Sequence, residues 1–515
     1  MLTYSFAERG EMGLYEHLYL CIKRDVERGA IAAGEKLPSK RSFARHLGVS
    51  LITVEGAYAQ LVAEGYLRTE PRRGYYACDL ASVRPLSGAG ARGVDAHTPQ
   101  APSLADAQQP EEGLAEAYAS LAAAKERSCP KGKLLADFTG GSSATELFPY
   151  TAWAKSVREA LTCEAERSLV GDVGSAGTAR LRQAIAAHLK GFRGMEVNPD
   201  CIVVGAGSQV LYNWIIQLLG RGLRYGVEDP GYVRLTQIYR ANDVRLSAVP
   251  LDEQGVRLDS VRSQGVDVLH LMPSHQYPTG LVTSVSRRYE LLGWASEEEG
   301  RYLVEDDYDC EFRLTGRPIP SLQSIDALGK VVYTNTFTKS LGPAFRIGYM
   351  VLPPALAKRF HDELGFYSCT VSAIDQLALA RFIESGDYER HVNRMRTHYR
   401  DVRDALMGAL RQSALAGRIT IERQDAGIHF LLGIEASKKA DALEWERSFA
   451  QCCAKGGVAI RPLSSFCLNS ENAAPADCPV RRFVVSYGGV DASCIPEAVG
   501  VLEQAAEAAD GLTLR

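Results

Sequence analysis

Lys339 stands in the segment Thr336-Phe337-Thr338-Lys339-Ser340-Leu341-Gly342-Pro343-Ala344-Phe345-Arg346, directly after the apolar run Val331-Val332-Tyr333-Thr334. A lysine amine in such a place can hold an aldehyde, and Arg346 with Thr336 and Thr338 offers the cationic and hydroxyl donors that grip a phosphate. A lone lysine would be an ordinary surface residue, but the neighbouring motifs argue otherwise. Gly205-Ala206-Gly207-Ser208-Gln209 separates the apolar run 201–204 from a helical stretch. Small residues at that point let backbone N–H groups close on a phosphate, with the helix dipole behind them. A third segment, Glu305-Asp306-Asp307-Tyr308-Asp309-Cys310-Glu311, follows Tyr302-Leu303-Val304. Strand alternation puts Val304, Asp306 and Tyr308 on one face and points Glu305 and Asp307 elsewhere.

These segments resemble fold-type I aminotransferases, whose cofactor is pyridoxal 5'-phosphate (PLP). The resemblance implies that Lys339 carries the cofactor and that Gly207, Ser208, Gln209, Thr336, Thr338 and Arg346 hold its phosphate. It places Asp306 at the pyridinium nitrogen and Tyr308 at the ring's phenolic oxygen. Glu228-Asp229-Pro230-Gly231-Tyr232-Val233-Arg234 matches the segment whose tyrosine, here Tyr232, stacks on or lies beside the ring. Met272-Pro273-Ser274-His275-Gln276-Tyr277-Pro278-Thr279-Gly280 carries the spelling His-Gln-Tyr-Pro-Thr-Gly, which is associated with the MocR group of GntR-type regulators. Which of His275, Gln276 or Tyr277 meets the ring oxygen stays open. Related enzymes clamp the substrate carboxylate with an arginine near the last strand, where this chain has Val484 or Gly489. Arg234, Arg482 and His275 are the expected effector contacts in its stead, with Arg461 as a further arginine. No metal is expected.

Short apolar strands at 201–204, 223–227, 266–271, 301–304 and 331–334 alternate with longer helical stretches and position these groups. That rhythm predicts an α/β domain over 134–512 with a mostly parallel sheet, whose ligands sit beyond the carboxyl ends of the strands. Residues 12–80 read differently. Apolar spacing predicts a helix over 15–28, Ser39 and Ser50 are placed to cap two more, and residues 66–69 and 75–77 read as a hairpin around Pro71-Arg72-Arg73-Gly74. This order, with Leu37-Pro38-Ser39-Lys40-Arg41, Leu47-Gly48-Val49-Ser50 and Glu64-Gly65-Tyr66, resembles the winged helix-turn-helix of GntR-type regulators. The resemblance implies that Lys40, Arg41, Arg45, Arg72 and Arg73 contact DNA, with Ser50 and Thr53 near the major groove. Leu51 stands where relatives often place arginine, and Glu55 brings a negative charge to the recognition helix. Between the two units, 81–133 is rich in Ala, Gly, Pro, Ser and Gln and reads as a flexible linker, with a helix possible over 114–125 and a span of about 40 Å.

The 515 residues exceed a single core, and 46% apolar, 23% charged and a net charge of -4 are ordinary for a globular protein, so DNA binding must come from a local basic surface. Twelve cysteines without a C-x-x-C pair predict free thiols, mostly buried. No apolar run is long enough for a bilayer and no signal peptide opens the chain, so a cytoplasmic protein is expected. The fold class is therefore α/β: an N-terminal winged helix-turn-helix plus a PLP-dependent fold-type I aminotransferase-like domain. The joint resemblance to MocR-type regulators implies a homodimer on double-stranded promoter DNA, in which one chain's head lies against the other's aminotransferase-like domain. It implies a transcription regulator that senses an amino compound or a vitamin B6 vitamer, with at most residual aminotransferase activity. The alternative is a working aminotransferase with an accessory DNA-binding head.

Overall fold

A computed structural model of the chain describes residues 4, 13–70, 74–78, 134–140, 144–162, 173–314, 320–425, 427–436, 442–469 and 478–512. The expected linker over 81–133, its helix over 114–125, and Arg72 and Arg73 lie outside these residues.

The N-terminal head follows its local signals. After α1 (Leu14–Glu27), α2 (Lys40–Leu47) begins at Ser39, whose Oγ accepts from the Ser42 amide at 3.2 Å, and ends at Gly48 with a left-handed φ of 67°. Ser50 caps α3 (Leu51–Ala63) by accepting from the Thr53 amide at 3.1 Å. Each cap satisfies a helix-end N–H and stabilises by about 1 kcal/mol. β1 (Leu67–Glu70) and β2 (Gly74–Ala77) pair antiparallel, with Leu67 opposite Ala77. Leu18, Ile22, Phe43, Val54, Tyr58 and Leu61 are wholly buried between these elements. Each contributes about 1.5–3 kcal/mol by leaving water.

The larger unit is built on an eight-stranded sheet. Its elements are β3 (Ile202–Gly205), α4 (Ser208–Leu219), β4 (Arg224–Asp229), β5 (Arg245–Asp252), β6 (Gly255–Val256), β7 (Val268–Leu271), α5 (Val285–Ser296), β8 (Tyr302–Asp306), β9 (Val331–Thr336) and β10 (Gly348–Val351). The strand order is β3-β10-β9-β8-β7-β4-β5-β6. Neighbours from β9 to β5 run parallel, while β10 is antiparallel to both neighbours and β6 to β5. Apolar clusters cover both faces, as near-continuous strands such as Ile202-Val203-Val204 require. The carboxyl ends of β3, β4, β7, β8 and β9 therefore form one edge, and Gly205, Asp229, Leu271, Asp306 and Thr336 stand on it.

The long helix α6 (Asp387–Gln412) buries side chains in two cores and leads to a C-terminal sheet. That sheet, β11 (Ile419–Glu422), β12 (His429–Glu435), β13 (Arg461–Pro462) and β14 (Val480–Ser486), has the antiparallel order β11-β12-β14-β13. The short strand Ala136–Asp137 pairs in parallel with Val458–Ala459 and carries the following loop to the cleft between the sheets.

All ten cysteines among the described residues are free, four buried and six part-exposed, which corrects the expectation that most are buried. Most of the six stand in loops and at element ends. Among the described residues no helix is long and apolar enough to cross a membrane.

Candidate cofactor site and nucleic-acid interface

Lys339 sits on the single helical turn Thr338–Leu341 that follows β9. Its Nζ donates to the Gly140 carbonyl at 3.3 Å, and desolvation holds its pKa below the ordinary lysine value against the opposing pull of Asp309. Desolvation of this kind favours the neutral, nucleophilic form of the amine.

Arg346 adopts a left-handed φ of 51°, which few non-glycine residues do, and donates to the Ala206 carbonyl at 3.2 Å. It thereby lies against the start of α4. Gly207 has a left-handed φ of 84°, and a Cβ on it would stand 2.6 Å from the guanidinium and push Arg346 aside. Gly207 is also the N-cap of α4 and supplies no side-chain cap, leaving the helix-start N–H groups for an anion. Ser208, Gln209, Thr336 and Thr338 all keep some exposure around this point. The cradle fits a phosphate.

Asp306 ends β8 and is buried. The Tyr212 hydroxyl, one turn into α4, donates to its Oδ2 in a short hydrogen bond. His270, itself bonded to the Tyr239 hydroxyl at 2.7 Å, lies 3.8 Å away. A carboxylate so held suits a cationic ring nitrogen. The neighbours point away, as alternation requires: Glu305 accepts from the Leu322 and Gln323 amides at 2.9 Å each, and Asp307 pairs with the buried Arg193 at 2.6 Å.

Aromatic side chains wall the rest of the cleft. Tyr232 and Tyr277 meet edge to face at 6.0 Å, Tyr277 and Tyr308 at 6.2 Å, and Tyr277 and His429 at 5.3 Å. The amide of Gln276 is taken up by backbone and by Thr279, donating to Pro230 O at 2.9 Å and accepting from the Thr279 amide at 3.0 Å. Of the three residues left open by the sequence, Gln276 thus faces its own loop, and His275 and Tyr277 face the cleft. His275 Nδ1 is 2.8 Å from Asp309 Oδ2 and 3.2 Å from the Tyr308 hydroxyl, with the His429 ring at 4.4 Å. His275, Asp309 and His429 are near enough to one another to hold a metal ion; His275 Nδ1 meets Asp309, and the Nε2 atoms of both histidines are buried without a hydrogen-bond partner.

The arginines separate clearly. Arg482 pairs with Glu422 across the sheet at 3.1 Å. Arg461 stands directly opposite Val484 on the neighbouring strand, and its charge acts on Tyr277, whose phenol burial pushes up to about 12. Cross-strand partners share a face, so Arg461 shares a face with Val484, one of the two positions where the sequence expects an arginine. Arg234 is exposed beside Tyr232 and acts on its phenol.

In the head, Lys40 Nζ pairs with Glu55 at 2.9 Å, which neutralises the negative charge on the recognition helix and ties up one expected DNA contact. Arg41 and Arg45 are exposed and one helical turn apart on α2. Ser50 and Thr53 are joined at their hydroxyls at 2.8 Å, at the start of α3.

Tyr212, His429, Asp309 and Gly140 were missed from sequence. Tyr212 had a signal, since it lies four residues after Ser208 and so shares its helix face. His429, in a distant strand, had none.

Residues 14–76 match the family described as bacterial regulatory proteins, gntR family. The chain is 34% identical over 499 residues to the HTH-type transcriptional regulator YdeL of Bacillus subtilis (strain 168), covering 96% of this chain and 97% of that one. It is 30% identical over 501 residues to the probable rhizopine catabolism regulatory protein MocR of Rhizobium meliloti, covering 96% and 94%. The chain belongs to the MocR group of GntR-type transcription regulators. Its larger unit has the aminotransferase fold: the multiple substrate aminotransferase of Thermococcus profundus superposes with a TM-score of 0.62 at 24% identity, covering 79% of this chain and 97% of that one. This MocR-group member is a DNA-binding regulator with an aminotransferase-like domain.

One carboxyl in the cleft wall makes stability depend on pH. Burial pushes Glu228 up to about 8, although the Met272 amide donates to it at 3.1 Å. Because the folded pKa is raised, the charged form is the costly one. The cost is absent below the unfolded carboxyl pKa of about 4.3 and grows until pH passes about 8. Glu228→Gln is expected to raise the Tm at pH 8.5 by a few degrees and to leave it nearly unchanged at pH 4.5. Thermal unfolding at both pH values checks this, and an equal shift at both would contradict it.

Proposed function

We propose that this regulator holds PLP on Lys339 and senses an amino compound or a B6 vitamer there, passing the outcome to heads bound on promoter DNA. The observation that carries the reading is the Lys339 amine, with its lowered pKa, in one cleft with the Arg346–Gly207 cradle. When bound, the cofactor supplies an aldehyde that takes up amines and a ring that withdraws electrons. Lys339 offers the neutral amine for attachment. Arg346, Thr336, Thr338 and the start of α4 hold the phosphate. Asp306, held by Tyr212, would meet the ring nitrogen, and Tyr232 would lie against the ring. Arg461, with Arg234 at the mouth, meets an effector carboxylate, whereas Arg482 is tied to Glu422. Attachment of an amine at the cofactor would leave the Lys339 amine free beside Asp309 and His429.

A homodimer working in the cytoplasm is part of this reading. The alternative, a working aminotransferase, uses the same residues and is favoured by Asp306, Tyr308 and Lys339 all standing in the cleft. Incubating the PLP-loaded protein with amino donors and keto acids separates the two. About one equivalent of product per site is expected, and sustained turnover over many equivalents would make it an enzyme. DNA binding measured with and without PLP, and with an amine panel, then distinguishes amine sensing from sensing of the vitamer.

A further inference from the structure

One short stretch of chain joins the cleft to the head. Residues 273–283 carry His275 and Tyr277 in the cleft, and the next two, Ser284 and Val285, lie against the head. The Val285 amide donates to the Glu64 carbonyl at 3.0 Å. Gly65, at φ +77°, approaches so closely that a Cβ on it would stand 3.2 Å from Ser284 Cβ. Val285 is 3% exposed because it inserts into the head's own apolar cluster, with Tyr289 packed beside it. At the same corner the Glu64 carboxyl is fully buried, accepting from the Tyr19 hydroxyl at 2.6 Å and the Gln60 amide at 2.5 Å. Arg313, seven residues past Asp306, lies near enough to favour its charge.

The stretch is braced along its length. Arg288, on the first turn of α5 and wholly buried, donates to the carbonyls of Thr283 at 3.0 Å, Pro273 at 2.6 Å and Pro320 at 2.5 Å. The Thr283 amide donates to Pro273 O at 2.9 Å. Arg193 bridges Ser274 Oγ, at 3.0 Å, and Asp307, next to Asp306. Packed, hydrogen-bonded segments shift as units rather than deform continuously. A winged head of roughly 60 residues buries little core of its own, so an apolar side chain supplied from outside biases its conformation.

We propose that residues 273–285 are a strap that reports occupancy of the cleft to the head, with the corner Glu64–Gly65 docked on Ser284–Val285. The inference rests on the reading of the cleft as a PLP site. What fills the cleft beside His275 and Tyr277 sets the position of Pro273 and Thr283, and through Ser284 and Val285 it sets how firmly the head is held. The dock has the same chemistry whether the head is the chain's own or that of a second copy.

Hydrogen exchange on the full-length protein, with and without added PLP, tests it. Attachment is read independently by visible absorbance and by mass after borohydride reduction. In the wild type, PLP should change the exchange rates of peptides covering 57–67 and 283–292 several-fold. Val285→Asp and Gly65→Val should abolish the change at 57–67 while attachment stays complete, since neither residue is in the cleft. Where Val285→Asp yields no folded protein, Val285→Ser removes the same apolar insertion with less disturbance. A head response that persists in these variants overturns the inference, as does a wild type that attaches PLP with no change in the head. A wild type that attaches no PLP overturns the reading of the cleft and the inference with it.

Discussion

Lys339→Ala is expected to abolish covalent capture of PLP. After borohydride reduction the wild-type chain should gain the mass of one phosphopyridoxyl group and the variant none. The reason is local. Desolvation depresses the Lys339 pKa, so more of its amine is neutral, and able to attack an aldehyde, than in an exposed lysine at the same pH. Attachment should accordingly set in at lower pH than for a free lysine side chain. The variant keeps the Arg346–Gly207 cradle and should still bind PLP reversibly, whereas adding Arg346→Ala removes charge-assisted hydrogen bonds worth about 1.5–3 kcal/mol, or roughly 10- to 100-fold in affinity. A reducible adduct of unchanged yield in Lys339→Ala would move the attachment point to another lysine.

The second large effect concerns the head. Arg41→Ala combined with Arg73→Ala is expected to weaken binding to a mixed-sequence DNA duplex about tenfold or more at low salt. It should also flatten the plot of log K against log salt by about 1.8, since each lost phosphate contact releases about 0.9 counterions fewer. Arg41 is exposed on α2, and Arg73 belongs to the wing tip expected from the sequence. Lys40→Ala is the informative contrast. Its ammonium is paired with Glu55 at 2.9 Å, so its loss frees a negative charge and should change the slope less than either arginine. An unaltered slope in the double variant would remove both arginines from the interface.

Much of the site was legible because its parts are local. The caps at Ser39 and Ser50 need only a hydroxyl immediately before the helix that accepts from the amide three residues on, and both formed. Alternation along one strand placed Asp306 opposite in facing to Glu305 and Asp307, and the structure sends the latter two to the Leu322–Gln323 amides and to Arg193. The glycine before α4 was read as part of a phosphate loop, and in the structure Gly207 takes a left-handed φ of 84° with Arg346 close against it. The antiparallel β10, inserted between β3 and β9, fell outside the expected parallel rhythm because the direction and neighbours of a strand are set by tertiary pairing and not by its own residues.

By itself, then, the sequence determined the identity of the two units and pointed to the proposed attachment lysine, cradle and strand acid, because helix and strand periodicities follow from backbone geometry within a few residues. Only the tertiary structure decided which groups complete them. Tyr212 on Asp306, His429 on His275, Arg461 across from Val484, Glu55 on Lys40 and Val285 inside the head all join segments at least fifteen residues apart, mostly far more. Their meeting depends on strand register and on how two cores settle against each other. Those are set by the summed packing of the whole chain, and no short window of residues contains them.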